Sequence, residues 1–120
     1  PENLIDMEKV IRALKFAKLD EFVSNLENKY ETRVGNQGIM LSGGQKQRVI
    51  IARAAYYDPD ILVLDEATSA IDEEVEKEFI DNLISLSNEK TLIIISHRRS
   101  TIENCEDIYK LDNKKLIKIK

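Results

Sequence analysis

The chain holds a single cysteine, Cys105, so no disulfide can form within its 120 residues. That fits a reducing compartment, where thiols stay reduced. Cys105 has no neighbouring pattern that marks a nucleophile, and it reads as a structural thiol. No apolar stretch approaches the ~20 residues that a membrane-spanning helix needs. Residues 1–6 are polar and run straight into a helical pattern, so no signal peptide is expected. The chain itself is expected to be soluble. An excess of positive charge is also absent: 18 Lys and Arg face 22 Asp and Glu, for a net charge of −4. A nucleic-acid binder usually presents a basic face, so no nucleic-acid partner is expected. Only residues 113–120 are locally basic, and their Lys/apolar alternation reads as a half-buried strand. Glycine is scarce. The four are Gly35, Gly38, Gly43 and Gly44, and none precedes a lysine. A phosphate loop of the form Gly-x-x-x-x-Gly-Lys-Ser/Thr is therefore missing from these residues.

What is present suits one domain or a large piece of one. Apolar residues make up 42% and charged residues 33%, enough for a core under a charged surface. Asp6 is placed to cap a first helix over about residues 7–17, with Val10, Ile11, Leu14 and Ala17 at helical spacing. Asp20 is expected to cap a second, short helix with Phe22, Val23 and Leu26 as its apolar stripe. Residues 28–40 hold Gly35 and Gly38 without a clear period and read as a loop. Ser42 is expected to cap a third helix that ends at Asp58-Pro59, because the residue before proline avoids helical angles. The apolar runs ILVL at 61–64 and TLIII at 91–95 predict strands buried on both faces, as in a parallel sheet. Asp72 is expected to cap the helix between them, which carries Val75, Phe79, Leu83 and Leu86. A strand, a helix and a strand make one βαβ unit. A short helix within 98–103 and a hairpin around residues 112–115 complete the pattern. Two strands are too few for a full doubly wound sheet, so the rest is expected outside this sequence.

Three short segments carry candidate chemistry. In LSGGQ at 41–45, two glycines at a helix start leave first-turn N–H groups uncovered. With the helix dipole and the Ser42 hydroxyl they suit a phosphate. In ILVLDE at 61–66, a buried strand delivers Asp65 and Glu66 to its carboxyl end, where α/β sheets bind ligands. One carboxylate there can hold Mg²⁺ and the other can orient or deprotonate a water. His97, the sole histidine, follows the second strand and would reach the same edge. Taken singly, each also fits a plainer account: a Ser-capped helix, a strand with polar ends, a structural histidine. Their order and spacing together are specific.

LSGGQKQRVIIARA at 41–54 resembles the ABC signature motif and its helix. ILVLDEATSAID at 61–72 resembles the Walker B strand with the D-loop, and SHRRSTI at 96–102 the switch-histidine region. The resemblance covers essentially the whole chain. It implies a fold class of α/β, a partial P-loop NTPase fold with a helical subdomain and the C-terminal part of a mainly parallel RecA-like sheet. It implies residues 1–58 as the helical subdomain with signature, and 59–120 as the C-terminal part of the ATPase core. ETRVGNQG at 31–38 looks like the loop of ABC exporters that lies near the membrane domains.

By that resemblance Asp65 would help hold Mg²⁺, Glu66 would act as general base and His97 would contact the γ-phosphate. Ser42, Gly43, Gly44 and Gln45 would embrace ATP bound to a second nucleotide-binding domain. Ser69, Ala70, Ile71 and Asp72 would form the D-loop across that interface. Ile71 and Arg99 stand where the family more often has Leu and a small or apolar residue. The expected function is ATP hydrolysis driving export at the cytoplasmic face of the cell membrane, with transmembrane domains and an upstream Walker A half as partners. Without that half, the chain alone is expected to be inactive. A DNA-repair or chromosome-maintenance ATPase would share this logic but usually departs from the QRVIIARA found intact at 47–54.

Overall fold

A computed structural model of the chain describes residues 4–86 and 90–120. Helix α1 spans Met7–Phe16 and starts where Asp6 accepts from the N–H groups of Glu8 and Lys9 at 3.0 and 3.2 Å. Its buried face departs from the expected stripe at two positions: Ala13 is interior and Ile11 is exposed, while Ala17 is buried as expected. Lys18 lies at φ +55°, which lets the Leu19 N–H return to Leu14 O at 2.8 Å and end the helix. Helix α2 is Asp20–Ser24. Asp20 is its first residue and not its cap. Leu19 occupies the cap position without a side-chain bond. The reason is tertiary: Leu19 is fully buried, and that anchor sets where the helix begins.

The loop over 28–40 contains a short 3₁₀ turn, Lys29–Glu31, and an isolated bridge between Val34 and Ile39. Gly38 is required there, since a Cβ would lie 1.8 Å from Arg33 O. Helix α3 runs Gly43–Tyr56. It ends just before Asp58, whose φ of +51° departs from helical angles ahead of Pro59.

Strand β1 (Ile61–Asp65) pairs in parallel with β2 (Thr91–Ile95), Ile61 opposite Thr91 and Asp65 opposite Ile95. Helix α4 (Glu73–Leu86) connects them, so the βαβ unit forms as expected. The core gathers Ala13, Ala17 and Leu19 with Ile51 and Ala52 of α3, Leu62 and Leu64 of β1, and Phe79, Ile80 and Leu83 of α4. The strands are covered on one face only. Ile61 is 58% exposed and Val63 54% exposed, and Ile93 and Ile95 are open as well. The expectation of burial on both faces is corrected: among the described residues, no element packs on that second face. Val75 is likewise exposed, and Glu76 takes its expected place on the buried face of α4. The side chain of Leu86 lies outside the described residues.

After the short helix α5 (Arg99–Ile102), strands β3 (Tyr109–Asp112) and β4 (Lys115–Lys118) form an antiparallel hairpin. Asn113 and Lys114 turn it with φ of +46° and +62°, the double left-handed geometry of a tight hairpin turn. Both strands are exposed throughout, which corrects the half-buried reading of the Lys-rich run. No helix of the described residues is long and apolar enough to cross a membrane.

Candidate functional site

Strand register builds one side of the site. The parallel pairing of β1 and β2 brings their carboxyl ends level, and the Glu66 N–H extends it by donating to Ile95 O at 3.0 Å. Glu66 sits at φ +47°, a left-handed backbone that costs a non-glycine residue about 1 kcal/mol or more. That turn aims its side chain across the strand ends. His97 Nδ1 lies 2.9 Å from Glu66 Oε1. An ionised carboxylate only accepts, so it favours the tautomer with the proton on Nδ1 and leaves Nε2 free. His97 is 75% exposed at its side chain, so the pair faces solvent. Asp65 stands next to it at the strand edge, exposed, and makes no hydrogen bond or ion pair among the described residues. A carboxylate without a side-chain partner is a donor of the kind Mg²⁺ takes, since that ion uses one or two carboxylates and completes its shell with phosphate and water.

The tip of α3 is a second candidate surface. Ser42 and Gln45 form a reciprocal capping box: Ser42 Oγ accepts from the Gln45 N–H at 3.2 Å, and the Ser42 N–H donates to Gln45 Oε1 at 2.9 Å. The Gln45 N–H is engaged within the cap, and an anion would meet the Gly43 and Gly44 N–H groups and the Ser42 hydroxyl hydrogen. Gly43 has a second role, because a Cβ there would press to 3.2 Å from Ala70 Cβ. Residues 69–71 therefore seat closely against the helix tip. Asp72 directly precedes α4, and its carbonyl accepts from the Glu76 N–H at 2.7 Å. Glu66 and His97 are thus brought together. No hydrogen bond among the described residues joins Ser42 or Gln45 to Asp65, Glu66 or His97.

A buried carboxylate was missed by sequence reading. Glu76 is 1% exposed. Its Oε1 accepts from Thr68 Oγ1 at 2.5 Å and Thr101 Oγ1 at 2.9 Å, and its Oε2 accepts from Arg98. Burial pushes its pKa up, but the bonds from Thr68, Arg98 and Thr101 outweigh that and hold it below the usual glutamate value. The signal was present, since position 76 shares the helical stripe of 79, 80 and 83 and a charge there must be paired. A group with a depressed native pKa stabilises the fold above its unfolded pKa. That contribution is lost as pH falls through the native value. The wild-type urea midpoint is therefore expected to fall on acidification from pH 7 to about 3, and Glu76→Gln to flatten that fall. An identical acid limb in the variant would contradict the assignment.

The ABC transporter family profile matches residues 2–69, more than half of the chain. The chain belongs to the ABC transporter family. It is 46% identical over 115 residues to ABC transporter B family member 16 of Arabidopsis thaliana, covering 96% of this chain and 9% of that protein. It is 50% identical over 112 residues to the ATP-dependent lipid A-core flippase of Cupriavidus pinatubonensis, covering 93% of this chain and 19% of that one. The solved structure of a bacterial Atm1-family ABC exporter with ATP bound superposes with a TM-score of 0.81 at 38% identity, over 95% of this chain and 20% of that chain. The ABC chain thus spans at most about a fifth of the length of these relatives. Its fold is α/β, a partial P-loop NTPase fold with a parallel strand pair. ABC transporter domains bind ATP as a class.

Proposed function

We propose that the protein carrying this chain couples ATP binding and hydrolysis to export across a membrane. In this reading Glu66 is the general base that polarises the attacking water, and His97 contacts the γ-phosphate. Asp65 helps hold Mg²⁺, which supplies charge neutralisation at the phosphates. Ser42, Gly43, Gly44 and Gln45 close on ATP held by a second nucleotide-binding domain, and residues 69–72 line that interface. Residues 1–58 act as the helical subdomain and 59–120 as the C-terminal part of the ATPase core. Transmembrane domains and a Walker A segment complete the machine, which works at the cytoplasmic face of the cell membrane.

The observation that carries the reading is the Glu66–His97 contact at the carboxyl edge of a parallel strand pair. The resemblance to exporters along nearly the whole chain supports the transport class. What these residues lack is the cradle of loop N–H groups and lysine that stabilises a loose phosphoryl transition state. The 120-residue chain alone is therefore expected to show no measurable ATP turnover. The native polypeptide with a Gly-x-x-x-x-Gly-Lys-Ser/Thr loop is expected to hydrolyse ATP. A phosphate-release assay compares the two, and Glu66-dependent turnover by the isolated chain would overturn the proposal.

A further inference from the structure

Residues 69–71 are gripped from two sides by side chains of different elements. From α3, the half-buried Gln47 amide uses both its atoms: Nε2 donates to Ser69 Oγ at 3.1 Å, and Oε1 accepts from the Ala70 N–H at 3.0 Å. From the loop after β2, Arg98 donates to Ile71 O at 3.1 Å and to Ser69 O at 3.0 Å. Two side chains thus take four polar groups of a largely exposed loop, groups that water would otherwise satisfy. Arg98 is itself anchored, because Glu76 accepts from it inside the core. Gln47 is two residues beyond Gln45, Arg98 follows His97 directly, and Ser69 is three residues beyond Glu66. The grip therefore touches each of the three candidate segments of the site.

We propose that Gln47 and Arg98 are positioning residues that hold residues 69–71 as a rigid bridge between the tip of α3 and the Glu66–His97 pair. The proposal rests on the ATPase reading and adds to it an intrachain route. Nucleotide engaged at the tip of α3 moves the bridge, and the bridge moves the arginine that adjoins His97. A guanidinium is needed at 98, since one lysine nitrogen cannot span two carbonyls and a carboxylate in fixed geometry.

The test uses the native polypeptide in membranes, with Gln47→Ala, Arg98→Lys and the double variant, measured as kcat and KM for ATP. Each single change is expected to lower kcat by roughly tenfold while KM stays within about twofold, because catalytic groups are misplaced by small shifts. The double variant is expected to resemble the weaker single, since both residues hold one segment and their effects do not add. A merely structural role would lower the thermal midpoint, and Gln47→Ala is expected to leave it unchanged. Multiplied losses in the double variant, or losses in KM rather than kcat, would overturn the bridge. Should Arg98→Lys fail to fold, Gln47→Ala decides alone, and an unchanged kcat in it counts against the proposal. A wild type without ATP turnover overturns the ATPase reading and the bridge together. An active wild type with an unaltered Gln47→Ala overturns the bridge only.

Discussion

Glu66→Gln in the native polypeptide is expected to lower ATP turnover by about 10²–10⁴-fold, the usual share of a general base. That is roughly 3–5 kcal/mol of barrier, at about 1.4 kcal/mol per tenfold change. The change is narrow in its physics. Glutamine keeps the shape of glutamate, and its amide oxygen can still accept from His97 Nδ1, now 2.9 Å from Glu66 Oε1. What disappears is the negative charge and the proton-accepting power. Nucleotide binding should survive, so the variant is expected to accumulate as an ATP-bound dimer. Single-turnover hydrolysis with nucleotide retention on gel filtration measures both outcomes. Unchanged hydrolysis would remove Glu66 from the chemistry.

Phe79→Ala is expected to destabilise the fold by about 3–5 kcal/mol, from lost burial plus the cavity left behind. Phe79 is 1% exposed and belongs to the core cluster that joins α1, α3, β1 and α4. Stabilities of domains are typically about 5–15 kcal/mol, so this single change removes a large part of what holds the chain folded. Val75→Ala on the same helix is the control. Val75 is 43% exposed, and its loss is expected to stay within about 0.5 kcal/mol. Urea unfolding followed by circular dichroism separates the two. Equal effects at 75 and 79 would show that the buried face of α4 is misassigned.

The same helix shows where sequence reading succeeds and where it stops. Spacing alone finds the helix and puts Phe79 and Leu83 inside. It also puts Val75 inside, because hydrophobicity at helical period is the only cue. The structure gives the inward position to Glu76, whose burial is tolerable only through Thr68, Arg98 and Thr101. Those partners lie 8, 22 and 25 positions away. The apolar runs at 61–64 and 91–95 carry a demand for cover on both faces, and the described residues supply it on one. Likewise Asp20 has the chemistry of a cap, but the burial of Leu19 displaces it by one residue.

The sequence by itself determined what depends on near neighbours. The caps at Asp6 and Ser42, the start and end of α3, the two strands and the hairpin turn follow from residues within four positions of each other, where backbone geometry fixes who meets whom. The order of the strands already brought His97 to the edge that holds Glu66; the tertiary structure decided their direct contact across 31 positions, and the hold of Gln47 and Arg98 on residues 69–71. Those contacts depend on the register of β1 against β2 and on the seat of α3, and a slip of one residue in that pairing would send each side chain to the opposite face.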